Sequence, residues 1–108
     1  MTLATVVEPV LEAGVADFLK RHNAEAAFRT VCDLVRACFP ELRAFKVWLL
    51  DDPDEEGRTW AKLHGFLPAA HPRDTLQAQR LSYYDQLVEQ LSLEYFPLFA
   101  LSLDSARE

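Results

Sequence analysis

Apolar and polar residues alternate with a period of two through residues 44–67, and with a helical period on either side of that stretch. In the first half of the stretch Phe45, Val47 and Leu49 fall on one face, and Ala44, Lys46, Trp48 and Leu50 on the other. In the second half Ala61, Leu63, Gly65 and Leu67 alternate with Trp60, Lys62, His64 and Phe66. The polar segment 51–58 between them contains Pro53 and Gly57 and reads as a turn, so the whole is a β-hairpin. A slip of one residue would turn a strand over, so the apolar sets must match. That requirement fixes the register parity, and within it the expected pairing is Val47 with Leu63 and Leu49 with Ala61, which sets Trp48 across from Lys62 and Lys46 across from His64.

Helical periodicity predicts a first helix over residues 8–22, with Pro9 in its first turn and a stripe of Leu11, Val15, Phe18 and His22, Leu19 at its margin. Asn23 suits a left-handed helix end or the cap of the next helix. The second helix covers 24–39 and stops at Pro40, with Ala27, Phe28, Val31, Leu34, Val35, Cys38 and Phe39 as its stripe. A third helix is predicted over 72–91. Its stripe is Leu76, Tyr83, Tyr84, Leu87, Val88 and Leu91, with Leu81 at the edge and the stem of Arg80 along Tyr84. A last strand over 96–103 alternates Phe99, Leu101 and Leu103 with Leu98, Ala100 and Ser102. Residues 1–7 read as a loose start or short edge segment, and 104–108 as a frayed tail. The predicted order is α-α-β-β-α-β in a single domain, an α+β two-layer sandwich. Its three-stranded antiparallel sheet would have the order 2-1-3, the last strand beside the first, with helices on one face.

Composition narrows the partners. Half of the 108 residues are apolar, enough for one core. The net charge is −6 and the eleven Lys and Arg residues are scattered, so no basic patch forms and nucleic-acid binding is not expected. Glu8 arrives too early for a signal-peptide core, and no apolar run approaches the ~20 residues that span a bilayer. Cys32 and Cys38, six residues apart on one helix, are separated by about 9 Å along its axis, too far for a disulfide. Two free thiols suit a cytoplasmic protein.

Candidate chemistry centres on the second sheet face. Helices cover one side of such a sheet, which leaves Lys46, Trp48, Trp60, Lys62, His64 and Phe66 toward solvent, with Leu50, Leu98 and Ala100 around them. Tryptophan on an open surface is characteristic of interfaces, so this face is the expected contact surface for a protein partner or a second copy. The competing reading covers it with the Lys46 and Lys62 stems and N-terminal residues. The acidic turn Asp51, Asp52, Asp54, Glu55, Glu56 does not follow a calcium-loop pattern and reads as a solvated turn. His22, His64 and His71 lack the spacing of a metal site, and no cofactor is implied. The leading expectation is thus an interaction or accessory module, a homodimer or antitoxin-like partner. The alternative is a small hydrolase or metal-dependent enzyme using His64 or the acidic turn.

The segment Arg36-Ala-Cys-Phe-Pro-Glu41 before the hairpin and Leu98-Phe-Ala-Leu-Ser-Leu-Asp104 at the end resemble small uncharacterised bacterial α+β proteins, which implies a fold and a bacterial cytoplasm but no activity. Read as α-β-β-α-α-β over residues 24–103, the chain is also similar in topology to BolA-like proteins, with His64 and the terminal Phe-Ala-Leu-Ser-Leu as loose echoes. The basic motif of that family is absent, Arg80-Leu-Ser-Tyr83 standing about where it would fall, so the resemblance does not by itself imply iron–sulfur partnering or nucleic-acid binding.

Overall fold

In the computed structural model, which describes residues 7–105, the hairpin is the centre of the sheet. Strands β2 (Ala44–Asp51) and β3 (Thr59–Leu67) pair antiparallel with Val47 opposite Leu63, Leu49 opposite Ala61, Trp48 opposite Lys62 and Lys46 opposite His64. The register follows from burial. Phe45, Val47, Ala61 and Leu63 all point inward and are fully buried, which a register shifted by one residue would not allow.

The first helix differs from expectation. Residues Pro9–Leu11 form β1, parallel to β2 with Pro9 beside Phe45 and Leu11 beside Val47, and the Glu12 N–H continues the pairing to the Val47 carbonyl at 2.9 Å. Helix α1 (Val15–Arg21) begins only after Gly14, whose φ of 89° is left-handed and interrupts any helix running through it. Strand pairing also satisfies peptide groups that would otherwise lie open along β2, and Pro9, lacking an N–H, is tolerated on an edge. Val15, Phe18 and Leu19 remain core residues, whereas Leu11 is exposed.

Helix α2 (Glu25–Cys38) agrees with its pattern, and its whole stripe is buried, with Cys32 added. Asn23 takes the left-handed φ of 51°, and the Ala24 N–H returns to the Leu19 carbonyl at 2.8 Å, so the chain reverses between α1 and α2 within a few residues. Both cysteines are free and buried.

Helix α3 (Arg73–Gln90) buries a narrower stripe than expected. Tyr83 is buried against Phe39, and Leu76 and Leu87 are half-buried, but Tyr84, Val88 and Leu81 are exposed. The reason is lateral placement. One flank of α3 packs on α2, with Gln86 donating to Cys38 Sγ at 3.4 Å, and one strip meets the core, leaving Leu81, Tyr84 and Val88 exposed on the remaining flank. Gln79 ties the start of α3 down, contacting His71 at 2.8 Å and donating to Glu41 at 3.0 Å, a bond that holds the Glu41 carboxyl below its usual range. A 3-10 turn (Leu93–Leu98) containing Pro97 then replaces the first part of the expected strand, which as β4 spans Phe99–Ser105.

The sheet is four-stranded and mixed, in the order β1-β2-β3-β4, and not three-stranded, antiparallel and 2-1-3. β1 occupies the edge of β2 that the expected order reserved for the last strand. The α3 crossover instead delivers β4 parallel to β3, from Ala61 beside Phe99 to Leu67 beside Ser105. All three helices pack on the same side of the sheet, forming one core with its inward face, so the α+β layering stands. Gly65 sits on that inward face, where an added Cβ would lie 2.8 Å from methyls of both Leu42 and Leu103. Of the terminal segments, residues 1–6 and 106–108 lie outside the described residues, while Asp104 and Ser105 are part of β4.

Candidate interaction face

Strand alternation that buries Phe45, Val47, Ala61 and Leu63 necessarily presents Lys46, Trp48, Trp60, Lys62, His64 and Phe66 on the other side. The structure brings all six together. Lys46 is exposed and the other five are half-buried, and none belongs to the core beneath the helices. β4 extends the face with Ala100, Ser102 and Asp104, which register with Lys62, His64 and Phe66, and β1 adds Val10 beside Lys46. Leu98, expected on this face, lies in the 3-10 turn and packs against the core.

The side chains are ordered by one another. The His64 ring lies 5.7 Å from Trp48 and 4.8 Å from Phe66, meeting Phe66 edge-on at 81°. This edge-to-face arrangement is the favourable one for aromatic quadrupoles. The Lys62 ammonium is 6.0 Å from the Trp48 ring centre, at the outer reach of a cation–π contact worth about 0.5–1 kcal/mol at an exposed site. His64 Nδ1 and Ser102 Oγ are 2.5 Å apart, so the imidazole is held from β4 while its ring meets Phe66 of β3 and Trp48 of β2. Trp60, opposite Leu50, stands at the far end of the face above a cleft of about 290 Å³ lined by Asp52, Phe96, Pro97 and Ala100.

Charge is distributed unevenly over this surface. The two lysines lie near its centre, on adjacent strands, and the acids Asp52 and Asp104 lie toward opposite ends. Lys46 and Lys62 thus place two positive charges among the rings, in a chain of net charge −6.

The acidic turn does not gather into a metal site. Asp52 accepts the Asp54 N–H at 2.9 Å, Asp51 accepts the Thr59 hydroxyl at 2.7 Å, and Glu55 accepts Arg58 at 3.1 Å. These carboxylates close the turn on itself, and no group of three metal-binding side chains occurs among the described residues. His22 stacks on Phe18 at 4.5 Å and His71 is engaged by Gln79, so neither joins His64. Sequence reasoning missed the Ser102 contact, because it follows from β4 lying beside β3. It also missed the cleft at Phe18, His22, Glu55, Glu56, Arg58 and Leu98, about 530 Å³, which the turn makes with α1. No helix among the described residues is long and apolar enough to cross a membrane.

Comparison with protein-family models, with curated proteins and with solved structures finds no match to this chain.

Proposed function

We propose that this chain is a small interaction module that docks a protein partner through the sheet face of Lys46, Trp48, Trp60, Lys62, His64 and Phe66. The observation that supports this reading is the placement of both tryptophans of the chain on a sheet face that its own core does not use. Apolar aromatic area kept at the surface, ordered by stacking and rimmed by charge, is what a binding hot spot requires. The central lysines favour a partner carrying carboxylates. Two copies placed face to face would bring like charges together, so an accessory or antitoxin-like partner suits this face better than a second copy does. Free buried thiols fit a reducing, cytoplasmic setting.

The test is affinity capture from the native cell with the wild-type chain, Trp48→Ala/Trp60→Ala and Lys46→Glu/Lys62→Glu. The expected result is a partner retained by the wild type and lost from both variants, whose circular dichroism and thermal midpoints stay close to wild type. A capture profile unchanged by either variant would sink the proposal. The Ser102–His64 contact gives the hydrolase reading one observation of its own, a hydroxyl beside a base. Turnover of activated esters that disappears in Ser102→Ala, and not in Trp60→Ala, would favour that reading instead.

A further inference from the structure

The side of the molecule that carries β4 is open in two layers at once. β4 bonds to β3 along one edge and ends the sheet, with no strand beyond it among the described residues. Over Phe99–Ser105 it holds no proline, lysine or arginine, and a single acid near its end. The opposite edge is guarded: β1 is three residues long, starts with Pro9 and is bracketed by Glu8 and Glu12. Short, proline-bearing, charge-flanked edges resist pairing with other chains, whereas a long uncharged edge invites it.

The helix layer above β4 is equally unfinished. Arg36 on α2 donates to the Val7 carbonyl at 3.2 Å and lies 3.7 Å from Glu8, which fixes one flank of α2 over the β1 side. Its other flank meets α3 through Cys38 and Gln86, so α3 lies over the β4 side. On α3, Gln79, Ser82 and Gln86 face α2. Leu81, Tyr84 and Val88, spaced three and four residues apart, form the flank turned away from it and are 62%, 50% and 65% exposed.

We propose that a second copy of this chain occupies this side, pairing β4 antiparallel with β4 and setting α3 against α3 about a two-fold axis normal to the sheet. An antiparallel strand pair maps onto itself under such an axis, and the same rotation makes the two α3 helices antiparallel neighbours on one side of the sheet. The helix is suited to that arrangement. Its first half carries Arg73 and Arg80 with Asp74, and its second half carries Asp85 and Glu89, so antiparallel packing sets a net positive half against a net negative one. An axis passing near Tyr84 brings Leu81 of one copy toward Val88 of the other. The product is one continuous sheet, β1-β2-β3-β4-β4-β3-β2-β1, with both Trp-bearing faces on the same side. The dimer surface is separate from the proposed docking face, so either can fail without the other.

The test is sedimentation equilibrium of the full chain over a wide concentration range, with hydrogen exchange followed at the β4 amides. The expected result is a species of twice 12.3 kDa for the wild type and a monomer for Leu81→Glu/Val88→Glu. Both substituted side chains are already mostly exposed, so the variant keeps its circular dichroism. β4 amide protection that rises with wild-type concentration, but not in the double variant, supports the strand pairing. Val88→Ser serves as the milder variant and is expected to weaken the dimer about tenfold. A wild-type chain monomeric at every concentration overturns the proposal. So does a double variant that remains dimeric, or a dimer dissociated by Trp48→Ala/Trp60→Ala.

Discussion

Gly65 occupies a point on β3 where the sheet and the segment after α2 meet with no room for a side chain. Any Cβ there meets terminal methyls of Leu42 and Leu103 at 2.8 Å, so both must shift, and Leu42, being buried, has less freedom to do so than the half-buried Leu103. Gly65→Ala is expected to cost about 1–3 kcal/mol in urea unfolding, with Gly65→Val costing more. Alternation places Gly65 on the core face from sequence alone, but the need for glycine comes from two residues distant in the chain, which no local pattern encodes. Cys32 gives a second prediction. Burial pushes its thiol up to about 12 from the ordinary 9.0, and Tyr83 is likewise pushed up by burial. A group whose folded pKa is raised adds stability that is complete below its unfolded value and lost as pH rises toward the folded one. Urea midpoints should therefore fall between about pH 9 and 12. In Cys32→Ala the fall over that window should be shallower. Labelling of Cys32 by thiol reagents at neutral pH should wait on unfolding, and rapid labelling of the folded chain would contradict its burial.

Among the elements, α2 and the hairpin are legible in the sequence because each has a single buried face and a long enough run to display its period. β1 is not. Three residues show no alternation, and Pro9 followed by Val10, Leu11 and Glu12 reads equally well as a first helical turn. The decision falls to Gly14. Its left-handed φ of 89° and the Leu49 methyl 3.4 Å from a would-be Cβ predict that Gly14→Ala destabilises by about 1–2 kcal/mol, read as a lowered unfolding midpoint. If instead Gly14→Ala raises stability and helix content, β1 is not the resting state of residues 9–11. For α3 the difficulty is reversed. Apolar residues lie around much of the helix, so periodicity alone gives one broad stripe where the structure divides it into a buried strip at Leu76, Tyr83 and Leu87 and an open one at Leu81, Tyr84 and Val88.

At the scale of the whole molecule, hydrophobic pattern dictates which way each side chain points and says little about which strands are neighbours. That is why the six residues of the candidate face were identifiable from the sequence, while the order of the sheet and the partnership of His64 with Ser102 were not. The face also supplies its own reporter, since both tryptophans of the chain lie on it. Binding of an acidic partner should blue-shift the emission and shield it from acrylamide, and an unchanged spectrum at saturation would place the partner elsewhere. The strand order has one more result. Pro9, Phe45, Gly65 and Leu103 lie at a single level across the sheet, so the outer strands begin and end at the same margin, three strand spacings or roughly 14 Å apart. The chain is in effect two halves, β1 to β2 and β3 to β4, each a parallel strand pair with a helical crossover, packed on one another and connected along the chain by the polar turn. A circular permutant cut in that turn, with a flexible bridge of roughly ten residues from β4 to β1, should fold to the same sheet with both halves exchanged in order along the chain.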